Sequence, residues 1–329
     1  MNRSLLNRFF LVLVSLTLFS CSHKFDNPLE NIQATVPNKV VATIQVGKAP
    51  KGIAVLPNGE YIYVANYWDS NVSVIRTSDN SVVATIPVGP GPWGMTVLPN
   101  GSCVYVANYR GQSISVIRTA DNTVTATIPL GNESTGIAAL PNGNYVYASN
   151  YGNYCDSIAV IRTSDNRISS SIPLPLGGGP KGITTLPNGN FVYVANPSGN
   201  VSVIRTSDNT VVVNIPVGGT PRGITSTPDG NYVYAGGSKI SVISTADNKV
   251  FTTISSGSST AGGMTCLPDG KYLYVAVGSS DVWAIQTSDN MVLATIPVGT
   301  QPWDIAPLPN GKFLYVTNSG SNSVSVIGF

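Results

Sequence analysis

Short apolar stretches of period two recur along most of the chain, separated by turn signals. In Gly52 to Gly89 the pattern predicts four strands: Gly52–Leu56, Tyr61–Asn66, Asn71–Arg76 and Val82–Val88. Tyr61 and Tyr63 alternate with Ile62 and Val64, and both faces of the second and fourth strands are largely apolar. Such strands suit a sheet packed between two others. Pro57-Asn58-Gly59 marks the first turn, where Asn-Gly predicts a type I′ hairpin. Ser78-Asp79-Asn80 marks a second. The unit repeats from Gly52, Gly94, Gly136, Gly182, Gly223, Gly263 and Asp304, giving seven copies at spacings of 40 to 46 residues.

Four strands in a period of this length predict a blade of a β-propeller. The expected fold is therefore all-β: one seven-bladed propeller of four-stranded antiparallel blades over residues 38–329. A blade cannot cover both of its faces without neighbours, so the repeats form one domain. The Asp-Asn turn occurs only six times, at Asp79, Asp121, Asp165, Asp208, Asp247 and Asp289, and the chain ends at Phe329 just after a third strand. The missing fourth strand lies at the other end, since residues 38–47 match residues 80–89 position by position. Val40–Val46 is expected to pair with Ser323–Ile327, burying Val40, Ile44 and Val46 and removing two open sheet edges.

The first 37 residues lack the repeat. Arg3 and Arg8 precede an apolar run from Phe9 to Phe19, too short for a spanning helix but suited to a signal peptide over residues 1–20. Leu18-Phe19-Ser20-Cys21 resembles the lipobox of bacterial lipoproteins, in which the Cys carries lipid. That resemblance implies lipidation at Cys21 and a polar tether over residues 21–37. It also implies a cell-envelope location, on the outer membrane or cell surface, with the membrane as a partner through the lipid. The only histidine, His23, falls in the tether.

The second strand of the unit ends in Tyr-Val-Ala-Asn at residues 63–66, 105–108 and 193–196, and in Tyr-Val-Thr-Asn at 315–318. These motifs resemble the YVTN β-propeller repeat family of secreted and cell-surface proteins. More distantly the chain is similar to lactonase-type propellers and to those of nitrite and nitrous-oxide reductases. The resemblance covers residues 38–329 and implies the seven-bladed architecture rather than one activity.

Charged residues make up only 10 % of the chain and the net charge is +2, which gives no general argument for a nucleic-acid partner. Setting aside acids in repeated turns, in the tether, and Glu60 on the turn face leaves Asp69, Glu133, Asp156, Asp281 and Asp304 near the opposite, loop face. Asp304 stands where the other copies begin with Gly. Arg76, Arg118, Arg162 and Arg205 share one position beside an Asp-containing turn and read as structural pairings. The position before the first Gly varies: Lys51, Trp93, Thr135, Lys181, Arg222, Gly262 and Trp303. It follows the connection between blades, so these residues should ring the channel mouth on the loop face. Tyr67, Trp68, Asp69, Tyr109, Arg110, Tyr151 and Tyr154 should lie on the same face. Cations among aromatic rings suit an anionic or aromatic ligand, whereas rings alone could simply plug the channel.

With no histidine in the repeats, a His-dependent triad and His-ligated metal or haem are excluded there. No strand–Gly-rich loop–helix unit for phosphates is present. No cofactor or metal is expected. Cys103 and Cys266 are expected as buried free thiols and Cys155 as exposed, without a disulfide. The leading expectation is a monomeric, tethered, non-catalytic protein binding a protein, glycan or polymer through its loop face. The alternatives are a lactonase-like hydrolase using Asp69 and Asp304, and single-stranded nucleic-acid or polyanion binding by the Lys/Arg/Trp ring.

Overall fold

The computed structural model describes residues 36–152, 156–174, 178–255 and 261–329. The signal peptide, Cys21, His23, most of the tether, Tyr154 and Cys155 lie outside the described residues. The repeats form 28 strands, numbered β1 to β28 in chain order, in seven four-stranded antiparallel sheets. In the first blade β2 (Pro50–Val55), β3 (Tyr61–Asn66), β4 (Asn71–Arg76) and β5 (Ser81–Pro87) pair in sequence order. The first strand of each blade touches the first strands of its two neighbours, so these seven strands line the central axis. The protein is thus a seven-bladed β-propeller.

The seventh blade is assembled from both ends of the described chain, in the order β1 (Lys39–Gln45), β28 (Ser323–Gly328), β27 (Leu314–Asn318) and β26 (Pro302–Pro307). The ladder runs from Lys39 opposite Gly328 to Gln45 opposite Ser323, with a bulge between Val40 and Ala42. A bulge at the matching place separates Val74 from Ile75 in the first blade and Val116 from Ile117 in the second. The N-terminal strand therefore reproduces the outer-strand geometry of the other blades. Of the three residues expected to be buried there, only Ile44 is; Val40 and Val46 are half-buried.

The outer strands correct a second expectation. β5 buries only Ile86 and exposes Val82 and Val83. No fifth strand covers it, so its alternate residues meet solvent, whereas β3 is buried from Ile62 to Asn66. The first turn is also not type I′. Gly59 N–H donates to Leu56 O at 2.8 Å, and Gly59, not Asn58, takes positive φ at 73°. Pro57 presets the first central residue of a type I turn and Gly59 supplies the left-handed residue that follows. A type I′ turn needs positive φ at both central residues.

Blades are joined by a ring of hydrogen bonds. The second strand of every blade carries a buried Tyr, its third residue in six blades and its second in the seventh. Its hydroxyl crosses to the Asn of the Asp-Asn turn in the next blade: Tyr63 to Asn122 Oδ1 at 2.6 Å, Tyr105 to Asn166 at 2.5 Å, Tyr147 to Asn209 and Tyr193 to Asn248 at 2.6 Å. Tyr315 reaches Asn80 at 2.7 Å, and Tyr274 reaches the carbonyl of Pro37, just before β1, at 2.7 Å. The Asn carbonyls are presented by residues in the left-handed region, with φ of 56° at Asn80 and 57° at Asn122. The Asp beside each Asn braces the same turn. Asp79 accepts from Ser81 N–H at 3.2 Å and pairs with Arg76 at 2.6 Å. The four Arg–Asp pairs are about half exposed, so they fix turn geometry more than they stabilise the fold.

Close approach of the inner strands explains the repeated Gly. A Cβ on Gly136 would stand 1.7 Å from the Lys181 carbonyl oxygen, and one on Gly94 2.1 Å from that of Thr135. Each contact is to backbone of the next blade, which has no rotamer to yield. Gly136→Ala is expected to lower stability by about 1–3 kcal/mol or more, measured as a fall in melting temperature; an unchanged melt would refute the close-packed ring.

Candidate functional site

At six blades the repeated Gly fits against the neighbouring backbone; at the seventh, Asp304 takes its place beside the first blade. Asp304 Oδ2 accepts Ile53 N–H at 3.3 Å and Oδ1 accepts Ile305 N–H at 3.0 Å. Thr317 accepts Asp304 N–H at 3.0 Å and donates to the Lys51 carbonyl at 2.6 Å. At the seam between the last and first blades a carboxylate and a hydroxyl thus take the place of the close Gly contact. Asp304 keeps some residue-level exposure, but its carboxyl is packed within protein. Burial outweighs its two N–H donors and pushes its carboxyl up to about 7. Both of its oxygens are engaged by backbone, so it is a joint of the fold.

Seven other sequence-predicted residues meet on the loop face of the first, second and seventh blades. Tyr67 and Trp68 are placed by backbone bonds from their N–H groups to the carbonyls of Ala49 and Lys48, both at 3.2 Å. Tyr109 N–H likewise donates to Gly91 O at 2.9 Å. Ala49, Gly91 and Gln301 each lie two residues before a ring residue and take positive φ of 52°, 65° and 52°. For Ala49 and Gln301 that is the strained left-handed region. Asn322 Oδ1 accepts Ala49 N–H at 2.9 Å and holds that turn in place.

These turns bring Trp93 and Trp303 together although their blades are not neighbours, with ring centroids 5.2 Å apart and planes at 80°. Lys51 stands between them in the ring. Its Nζ lies 3.3 Å from the Trp303 centroid and 5.2 Å from that of Trp93. Tyr67 packs edge-on to Trp93 at 5.4 Å and to Trp68 at 4.8 Å, and Tyr109 lies 5.3 Å from Trp93. Arg110 covers Trp68 at 5.5 Å. Each aromatic pair contributes about 0.5–1.5 kcal/mol beyond burial, and a desolvated cation–π contact up to about 2 kcal/mol. Burial pushes Lys51 down to about 8. Trp68 remains 61 % exposed.

The remaining predicted residues are not in that cluster. Lys181 and Arg222, on the fourth and fifth blades, interact with each other. Lys181 Nζ lies 5.1 Å from the Tyr151 ring. Its ammonium is held below its ordinary range, chiefly by burial and then by Arg222, against the pull of Glu133 and Asp156. Asp69 Oδ2 accepts Lys48 N–H at 2.8 Å and braces its own loop. Glu133 acts on the Tyr109 phenol: its carboxylate, with burial second, pushes that hydroxyl up to about 12. It also bridges to Tyr151, linking the two aromatic groups.

Among the described residues, no three His, Cys, Asp or Glu side chains gather in a way that could hold a metal ion. Cys266 is a buried free thiol, pushed up to about 12 by burial, whereas Cys103 is free but only half-buried, at the turn end of its strand. Two clefts of about 350 and 410 Å³ lie elsewhere, one along the closing β1 strand and one among turns of the second and third blades. Neither is lined by a predicted site residue.

A family model described as "Lactonase, 7-bladed beta-propeller" matches residues 119–214. Among solved structures the chain is similar to one of Kuenenia stuttgartiensis hydrazine synthase, with a TM-score of 0.79 at 24 % identity, covering 87 % of this chain and 97 % of that one. That likeness is one of fold. No curated protein matches the chain.

Proposed function

We propose that the protein is a non-catalytic, YVTN-type binding protein of the cell envelope, lipid-anchored at Cys21, which engages its partner through the loop face. One observation carries the binding reading: the continuous cluster of Trp303, Lys51, Trp93, Tyr67, Tyr109 and Trp68, open to solvent at Trp68 and Arg110. Three of the four tryptophans belong to it, so intrinsic fluorescence reports the site. Titration with a panel of envelope polysaccharides, peptidoglycan fragments and single-stranded DNA should give a saturable change with at least one. Trp93→Ala should weaken that binding at least tenfold, about 1.4 kcal/mol, while far-UV circular dichroism stays that of a folded propeller. Silence across the panel would count against the reading.

The match over residues 119–214 favours a second reading, a lactonase-like hydrolase. Asp304, the one acid on a described axis-lining strand, has both oxygens bound to backbone, and the enzyme reading needs it free. Lactone hydrolysis abolished by Asp304→Ala in a protein that still folds would establish the hydrolase. For the anchor, Cys21→Ser should move the protein from the membrane fraction to the soluble one.

A further inference from the structure

We infer that the loop face binds an acidic polysaccharide, sugar rings lying against the aromatic cluster and carboxylates meeting the cations of the ring. This deepens the binding reading above and rests on it.

Exposure is the first argument. Trp68 is 61 % exposed and Arg110 is exposed beside it, and a small molecule on an exposed rim has little surface to bury. An extended chain across the channel mouth can contact several blades at once. The distribution of groups is the second. Rings gather on the seventh, first and second blades, while Lys181 and Arg222 lie across the mouth on the fourth and fifth. A ligand spanning the mouth must present both apolar faces and negative charge.

The state of the cations is the third. The ion pairs among the described residues are the four Arg–Asp pairs of the opposite face. Lys51, Arg110, Lys181 and Arg222 take part in none of them. Lys51 and Lys181 are both half-buried and outside these pairs, with Glu133 and Asp156 offsetting part of the Lys181 charge, so an incoming carboxylate supplies counter-charge chiefly at Lys51.

The acids decide between polymer classes. Asp69, Glu133 and Asp156 share this face. They oppose a continuous phosphate track, and the net charge of the chain is only +2. The same carboxylates accept hydrogen bonds from sugar hydroxyls. The mixture of acid, base and ring therefore fits a carboxylated glycan better than a nucleic acid.

Oligogalacturonate and its fully methyl-esterified form test this, because esterification removes charge and keeps the sugar backbone. Calorimetry and fluorescence on the purified chain should show the acid form binding at least tenfold tighter than the ester, with affinity falling as salt is added. Trp68→Ala should weaken the acid form three- to tenfold. Arg222→Ala and Lys181→Ala should narrow the gap between acid and ester, with melting temperatures confirming that each variant is folded. Equal binding of ester and acid overturns the acidic class but leaves the binding reading in place. Tighter binding of oligo-dT than of the acid sugar replaces glycan by nucleic acid. No response to either sugar overturns the inference, and the binding reading falls with it only if the wider panel is also silent.

Discussion

A chain beginning at Gly47, and so lacking β1, should melt on the order of 10 °C or more below the intact protein, or associate through the exposed edge of β28. The ladder between Lys39–Gln45 and Ser323–Gly328 supplies several backbone hydrogen bonds, each worth about 0.5–1.5 kcal/mol net. Burial of Ile44 adds about 1.5–3 kcal/mol. Removing Pro37 also deprives the Tyr274 hydroxyl of its acceptor. These losses fall on the one blade that covalent continuity does not hold together. The uncovered edge of β28 is a template for pairing with another chain. Differential scanning calorimetry with light scattering checks both outcomes, and a synthetic peptide of residues 36–47 should restore the melt by refilling the edge. A monomeric truncated protein with an unchanged melt would overturn closure as a stabilising device.

Stability should fall as pH rises from about 4 to 8, and Asp304→Asn should flatten that slope. The carboxyl of Asp304 sits at about 7 in the fold against 3.8 when free. Between these values the folded state holds a proton that the unfolded state has released, so its stability decreases with rising pH. The contribution is fully present below about 4 and is lost as pH passes through 7. At full ionisation the loss is on the order of 4 kcal/mol. Other groups act outside this window. The carboxyls of Asp79 and Asp121 are held far below their usual range by Arg76 and Arg118, so their contribution disappears only in acid. Lys51, pushed down to about 8, favours folding more as pH rises above that value. Chemical denaturation at pH 5 and pH 8 measures the difference. Equal slopes in the two proteins would mean that Asp304 does not govern the seam.

Local pattern made the blades legible. Period-two alternation predicted β3 and β4 at their observed bounds, and the missing Asp-Asn turn led to β1 and β28. Turn type was less legible, because Asn-Gly serves both a type I′ turn and a type I turn followed by a left-handed Gly; Gly59 N–H on Leu56 O selects the second. The buried Tyr of each blade could be counted in the sequence, but not its partner, since Tyr63 and Asn122 are 59 residues apart. The ring position was likewise visible as the irregular residue before each repeated Gly. Which of its members touch was not.

The amino-acid sequence by itself determined the number of blades, their strand order and the place where the chain closes, because each follows from a repeat that the local hydrophobic pattern writes seven times. Only the tertiary structure decided that Lys51 meets Trp93 and Trp303 while Lys181 and Arg222 stand apart, and that Asp304 belongs to a seam between blades. Those pairings depend on side-chain directions set by the left-handed residues at Ala49, Gly91 and Gln301 and on closure of the ring, which brings the last blade against the first.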